Sequence, residues 1–198
     1  LGGEMGSLLL LGSGLSGQAA AYTITDDYRE GIEVFEEAIR HLESTHNTYE
    51  LIRAYNKMGF LQTTFCHFNE AEISLGKAKS LGLHSTEARI RHALIATDSY
   101  LSLVKSSSGW PEQGIDFAQK SRLESQRTGY FFGENRALTL LAIANYNLGN
   151  YHKALEFAGL ALNRIEAPVL WRVESQLRNV AATSLVALYN AIQLIRND

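Results

Sequence analysis

Apolar residues recur along this chain at helical spacing. Residues 28–43 place Tyr28, Ile32, Phe35, Ile39 and Leu42 at steps of three and four, which is one face of a helix. Residues 151–165 repeat the pattern with Tyr151, Leu155, Ala158, Leu162 and Ile165. A second helical stretch lies upstream of each. The expected pairs are 5–25 with 27–43, 48–65 with 69–81, 86–105 with 110–126, and 132–148 with 150–165, followed by a last helix over 170–195. No stretch alternates with period two for long, and no Asn-Gly or Asp-Gly hairpin turn occurs. The pattern predicts an all-α fold.

The pairs carry a common signature: an aromatic residue, two variable residues, then a small one. It reads Tyr28 to Gly31, Phe68 to Ala71 and Tyr151 to Ala154, with a degenerate copy from Pro111 to Gly114. The small residues are therefore 40, 43 and 40 positions apart. Seven positions after each stands another small residue: Ala38, Ala78, Ser121 and Ala161. A fixed period of this size marks stacked units that cannot bury their apolar faces alone. Ser106 to Gly109 looks like a lengthened turn that accounts for the step of 43.

Capping signals agree. Asp27, Asn69 and Asn150 each precede a second helix, where a side-chain oxygen can accept from free first-turn N–H groups. Pro111 suits a first turn, and Gly82, Gly129 and Gly149 suit left-handed helix ends.

Leu138, Leu141, Ala142, Gly149, Tyr151, Ala154, Ala161 and Pro168 resemble the tetratricopeptide pattern, as do Tyr55, Met58, Gly59, Phe68, Ala71, Leu75 and Ala78. The resemblance covers most of residues 12–168; the unit with Gly114 and Ser121 fits poorly, and the spacing near 40 exceeds the family's usual 34. Longer units of this kind are similar to the helical arrays of bacterial signalling ATPases and of maltose-regulator-type transcriptional activators. The resemblance implies a right-handed superhelical solenoid of about four helix pairs plus a C-terminal helix, with first helices lining a concave ligand surface. The family's concave positions fall on Arg53, Asn56, Phe60 and Thr63, and on Arg136, Thr139, Ile143 and Tyr146. Arg53 and Asn56 do not complete the family's terminal-carboxylate clamp, which argues against a chaperone-tail receptor.

Composition narrows the class. Two prolines in 198 residues leave room for long helices, and a net charge of −3 without Lys/Arg clusters argues against direct nucleic-acid or membrane binding. The single cysteine, Cys66, excludes an internal disulfide framework and a multi-cysteine zinc site; a reducing, cytoplasmic setting is expected, although a disulfide-free exported protein would look the same. No segment offers the ~20 apolar residues of a spanning helix. Leu8 to Leu11, followed by Ala19 to Ala21, could pass for a signal peptide, but the basic flank is missing and Glu4 replaces it. A chain that begins at Leu1 and ends in a helical pattern looks like a piece of a longer protein.

Candidate chemistry is sparse. Gly12 to Gly17 reads as a literal G-x-G-x-x-G, yet a second strand ending in an acid should follow, and an amphipathic helix stands there instead. The alternative is a small-residue helix packed on its neighbour, so no cofactor is implied. The six histidines form no metal-binding spacing, and Cys66-His67 is a sequence neighbour pair expected in a turn. Asp98, amid Leu94, Ile95 and Leu101, is expected on a solvated face or paired with a donor, the former favoured. No nucleophile, base and orienting group can be assembled, so an enzyme is not expected. The function expected is a scaffold binding a peptide or partner protein on the concave face; the alternative is an effector-sensing domain of a larger regulator. The segment from Val169 to Ile195 is apolar on more than one face, which suggests a homodimer through the last helix.

Overall fold

The structure is a computed structural model, which describes residues 2–25 and 27–163. Over these residues the chain forms eight helices and no strand: α1 (Gly2–Thr25), α2 (Tyr28–Glu43), α3 (Thr48–Thr64), α4 (Phe68–Gly82), α5 (Ala88–Ser107), α6 (Pro111–Thr128), α7 (Phe131–Asn147) and α8 (Tyr151–Leu162). The fold is all-α and agrees with a helical repeat array. The expected last helix, with Ile165 and Pro168, lies outside the described residues, as does the dimer contact placed on it. The chain divides into two compact units, residues 1–104 and 105–198.

The repeat is visible in the turns. Helices α3, α5 and α7 each end in one left-handed residue, Cys66 (φ 63°), Gly109 (φ 91°) and Gly149 (φ 75°). The N–H of the next residue bonds back over five positions: His67 to Gln62 at 2.8 Å, Trp110 to Lys105 at 2.8 Å, Asn150 to Asn145 at 2.9 Å. That bond closes a Schellman turn and satisfies carbonyls that the helix end leaves open. The partner helix begins immediately afterwards. Five residues beyond each left-handed residue stands the buried small residue of the signature, Ala71, Gly114 or Ala154. Cys66 thus occupies a position filled by glycine in the other two turns, as its sequence context suggested.

Corrections follow from the same geometry. Gly82 is no left-handed cap: it is the last residue of α4, buried where a Cβ would lie 3.0 Å from Ile52, Ile90 and Leu94. Asn69 is inside α4, whose N-cap is His67, and Asn150 caps α8 by position without a side-chain bond. Asp27 does cap α2, accepting from Glu30 N at 3.2 Å. The step of 43 does not come from a longer turn. Helix α5 has 20 residues where α3 and α7 have 17, so the extra three residues extend the helix and take in Ser106 and Ser107.

Packing explains the small residues. Ala38, Ala71, Ala78, Ala154, Ala158 and Ala161 are all fully buried, which brings α2 close to α1, α4 to α3 and α8 to α7; Ala118 and Ser121 of α6 are fully buried as well. In the first unit, Ile39 and Leu42 of α2, Ile52 and Tyr55 of α3, Ala78 of α4, and Ile90 and Ala93 of α5 form one apolar cluster. Phe35, Ala19 and Leu61 form a second, joining α2, α1 and α3. In the second unit Leu138 and Ala142 of α7 meet Ala158 and Ala161 of α8. The G-x-G-x-x-G run lies mid-way along the continuous α1, with Gly12 against Leu42 and the Ala38 carbonyl; a Cβ there would stand 2.7 Å from Leu42 Cγ. A glycine loop opening onto a helix N-terminus, which a phosphate cradle requires, is not what these residues form.

Asp98 is not on a solvated face. It is 7% exposed, and its Oδ1 accepts from Lys79 Nζ of α4 at 2.7 Å, so the carboxylate joins α5 to α4. Among the described residues no helix is long and apolar enough to cross a membrane.

Candidate functional site

In the first unit α1 and α5 each touch α3 directly. Asn47 Oδ1 accepts from Glu50 N at 3.1 Å and fixes the start of α3. From that start Tyr49, Arg53, Lys57 and Phe60 follow at steps of four, four and three, which aligns them on one stripe. Three contacts set α5 beside this stripe, running parallel. Arg89 lies over the Tyr49 ring at 5.7 Å, Asn56 Nδ2 donates to the Ala93 carbonyl at 3.0 Å, and the Phe60 and Tyr100 rings stand 5.6 Å apart. On the other side Lys57 Nζ reaches the Ser16 carbonyl of α1 at 3.4 Å.

The stripe has two halves. At one end the Tyr49 ring is flanked by two guanidiniums, Arg53 at 5.5 Å and Arg89 at 5.7 Å, within cation–π reach. Glu50 holds Arg53 through both carboxylate oxygens at 2.9 and 3.2 Å, and Glu87 holds Arg89 at 2.9 Å. Lys57 comes next. It is half-buried, with no carboxylate within ion-pair distance among the described residues. Burial first, and then the neighbouring Arg53 charge, pull its pKa below the ordinary lysine value, while Glu50 opposes the shift. Beyond Lys57 the half-buried Phe60 and Tyr100 give an aromatic surface. Cation and aromatic surface side by side suit a segment carrying an acidic group next to an apolar one.

The eight positions drawn from the family resemblance divide by exposure. Arg53 and Arg136 are exposed, and Phe60, Ile143 and Tyr146 are half-buried. Asn56, Thr63 and Thr139 are buried, and their side chains donate within the array: Asn56 to Ala93, Thr63 to the Gly59 carbonyl at 2.7 Å, Thr139 to the Asn135 carbonyl at 3.0 Å. Asn56 thus ties α3 to α5, while Thr63 and Thr139 bond back within their own helices; none of the three is exposed. In the second unit Tyr146 packs on Tyr151 at 5.7 Å. Tyr49, Lys57, Arg89 and Tyr100 were missed. The spacing of Tyr49, Arg53 and Lys57 was in the sequence, but a one-residue error in register turns a helix face by about 100°, which is the difference between the buried Asn56 and the accessible Lys57.

Cys66 is exposed, and His67 beside it stacks on Tyr28 at 4.2 Å with rings 3° from parallel. Among the described residues no group of three His, Cys, Asp or Glu is placed to hold a metal ion. Compared with known proteins, the chain matches no family model and no curated protein.

Proposed function

We propose that this chain is a tetratricopeptide-type interaction array, its first helices winding in a right-handed superhelix, that binds a peptide or a partner protein. The observation carrying this reading is the stripe on α3 and α5: two guanidiniums, a half-buried ammonium with no carboxylate in ion-pair distance among the described residues, and the Phe60–Tyr100 aromatic pair. Asn56, buried beneath it, ties α3 to α5. The surface is thereby preorganised, and less ordering free energy is lost on binding. A peptide carboxylate sits near Lys57 and Arg53, and an adjacent apolar side chain lies on Phe60 and Tyr100. Arg136, Ile143 and Tyr146 on α7 offer the same kinds of group in the second unit. The same reading puts the protein in the cytoplasm, where an exposed thiol such as Cys66 stays reduced.

Selection from a random peptide library tests it. Enriched peptides are expected to carry an acidic residue beside an apolar one. Arg53→Glu and Phe60→Ala should each weaken them by about tenfold or more, as for a central contact residue. Absence of enrichment, or peptides indifferent to both substitutions, refutes the reading.

A further inference from the structure

A groove of about 370 Å³ lies in the second unit between α6 and α8, floored by Leu141 of α7. Its α6 wall presents Gln119, Arg122, Leu123 and Gln126, at positions three, four and seven apart on one helix face, and Phe157 of α8 forms the opposite wall. The volume is at the lower end of the range for small-molecule sites and matches about a dozen water volumes. The lining is apolar at Leu123, Leu141 and Phe157, offers donors at Gln119, Arg122 and Gln126, and includes no acidic side chain.

Arg122 makes this groove more than a surface furrow. Its Nε is buried and makes no hydrogen bond. The nearest carboxylate oxygen, Glu134 Oε1, is 4.0 Å away and already accepts from Gln126 Nε2 at 2.7 Å. The Arg122 side chain is 32% exposed and keeps this one loose ion pair beside an apolar cleft. The open part of its guanidinium can take a carboxylate placed in the groove by charge-assisted, forked hydrogen bonding. An amine would meet the Arg122 charge, and a purely apolar ligand would leave the guanidinium with its loose Glu134 pair alone.

We propose that this groove binds a small organic monocarboxylate with an apolar body, the carboxylate on Arg122 and the body against Leu123 and Phe157, above the fully buried Leu141. The site is separate from the α3–α5 stripe and does not depend on it. It gives the chain a place for a small acid of the short-chain fatty or arylalkanoic type to act as an effector.

The test uses hexanoate and 4-phenylbutyrate as probes, with the corresponding amides as neutral counterparts and a short apolar peptide with a free C-terminus as a third arm. Binding is followed by calorimetry and by backbone amide NMR shifts. The acids are expected to bind about tenfold or more tighter than the amides, the margin of a charge-assisted hydrogen bond, with shifts centred on α6 and α8. Arg122→Gln should abolish that preference. Gln119→Glu, a change at an exposed residue that the fold tolerates, should weaken both acids by repulsion. Equal binding of acid and amide, acid binding unchanged in both variants, binding of the peptide alone, or no binding overturns the proposal.

Discussion

Replacing Gly59 with alanine sets two effects of similar size against each other. Glycine inside a helix costs ~1 kcal/mol relative to alanine, so the substitution gains that much in helix propensity. Against this stands the packing of α3 on α4. A Cβ on Gly59 would lie 2.7 Å from Leu75 Cγ, 2.9 Å from Leu75 Cδ2 and 3.4 Å from the Ala71 carbonyl. Leu75 is fully buried, and the nearest atom is its branch carbon, which cannot swing aside as a flexible side-chain end would. Overpacking of this kind costs ~1–3 kcal/mol, so Gly59→Ala should lose up to ~2 kcal/mol net of the propensity gain. Gly76, in the partner helix α4, is the internal control. It is exposed, and a Cβ there meets nothing within 4 Å. Gly76→Ala should therefore stabilise by up to ~1 kcal/mol. A separation of ~2 kcal/mol corresponds to about 4–8 °C in melting midpoint for a chain of 198 residues. Urea unfolding followed by circular dichroism measures both variants on one scale. Equal stability of the two would refute close approach of α3 and α4 at this position.

Three further outcomes are expected. Cys66→Gly should stabilise by ~1 kcal/mol in the same unfolding assay, because Cys66 carries a left-handed φ of 63° where glycine has no Cβ penalty; a loss of stability would contradict that account of the turn. Ala154→Leu should cost ~1–3 kcal/mol by overpacking a fully buried small residue, and an unchanged midpoint would contradict the register of the helix pairs. Lys57→Met should change the pH dependence. With the folded pKa of Lys57 lowered, the folded protein binds fewer protons than the unfolded chain between that pKa and the ordinary lysine value, so the Lys57 contribution to stability rises with pH across that window. Tyr28 and Tyr55, raised chiefly by burial, work in the opposite sense at alkaline pH, where the unfolded chain loses its tyrosine protons first. The difference between wild type and Lys57→Met isolates the lysine: the variant's relative advantage should be greatest at neutral pH and shrink as pH approaches the lysine range. A difference independent of pH refutes the shift.

Much of the fold was legible because helix periodicity and small residues are local signals. Of the α2 face expected from Tyr28, Ile32, Phe35, Ile39 and Leu42, the last three are buried and Tyr28 and Ile32 are half-buried. Gly129 and Gly149 were expected in left-handed caps and are there, because few other residues adopt that backbone without strain. What was not legible depends on contacts between helices distant in sequence. The role of Gly82 comes from Ile90 and Leu94 of the next helix, and that of Asp98 from Lys79, 19 residues earlier. Neither partner leaves a local trace. Arg53 and Phe60 were found at the candidate site from the family resemblance, while Lys57 and Tyr100 needed the packing of α5 on α3 to set the rotation of each helix. The α6–α8 groove carries no motif at all, since its six residues come from three helices.

The central claim is that the chain binds a peptide along the stripe on α3 and α5. Hydrogen–deuterium exchange of the intact chain, with and without a peptide enriched in the library selection, tests it most directly. Bound peptide should slow exchange over residues 49–60 and 89–100 and leave α2 and α4 unchanged, because the stripe is formed by the first helices alone. Slowed exchange confined to α2 and α4, or no change in any helix at saturating peptide, would contradict the account.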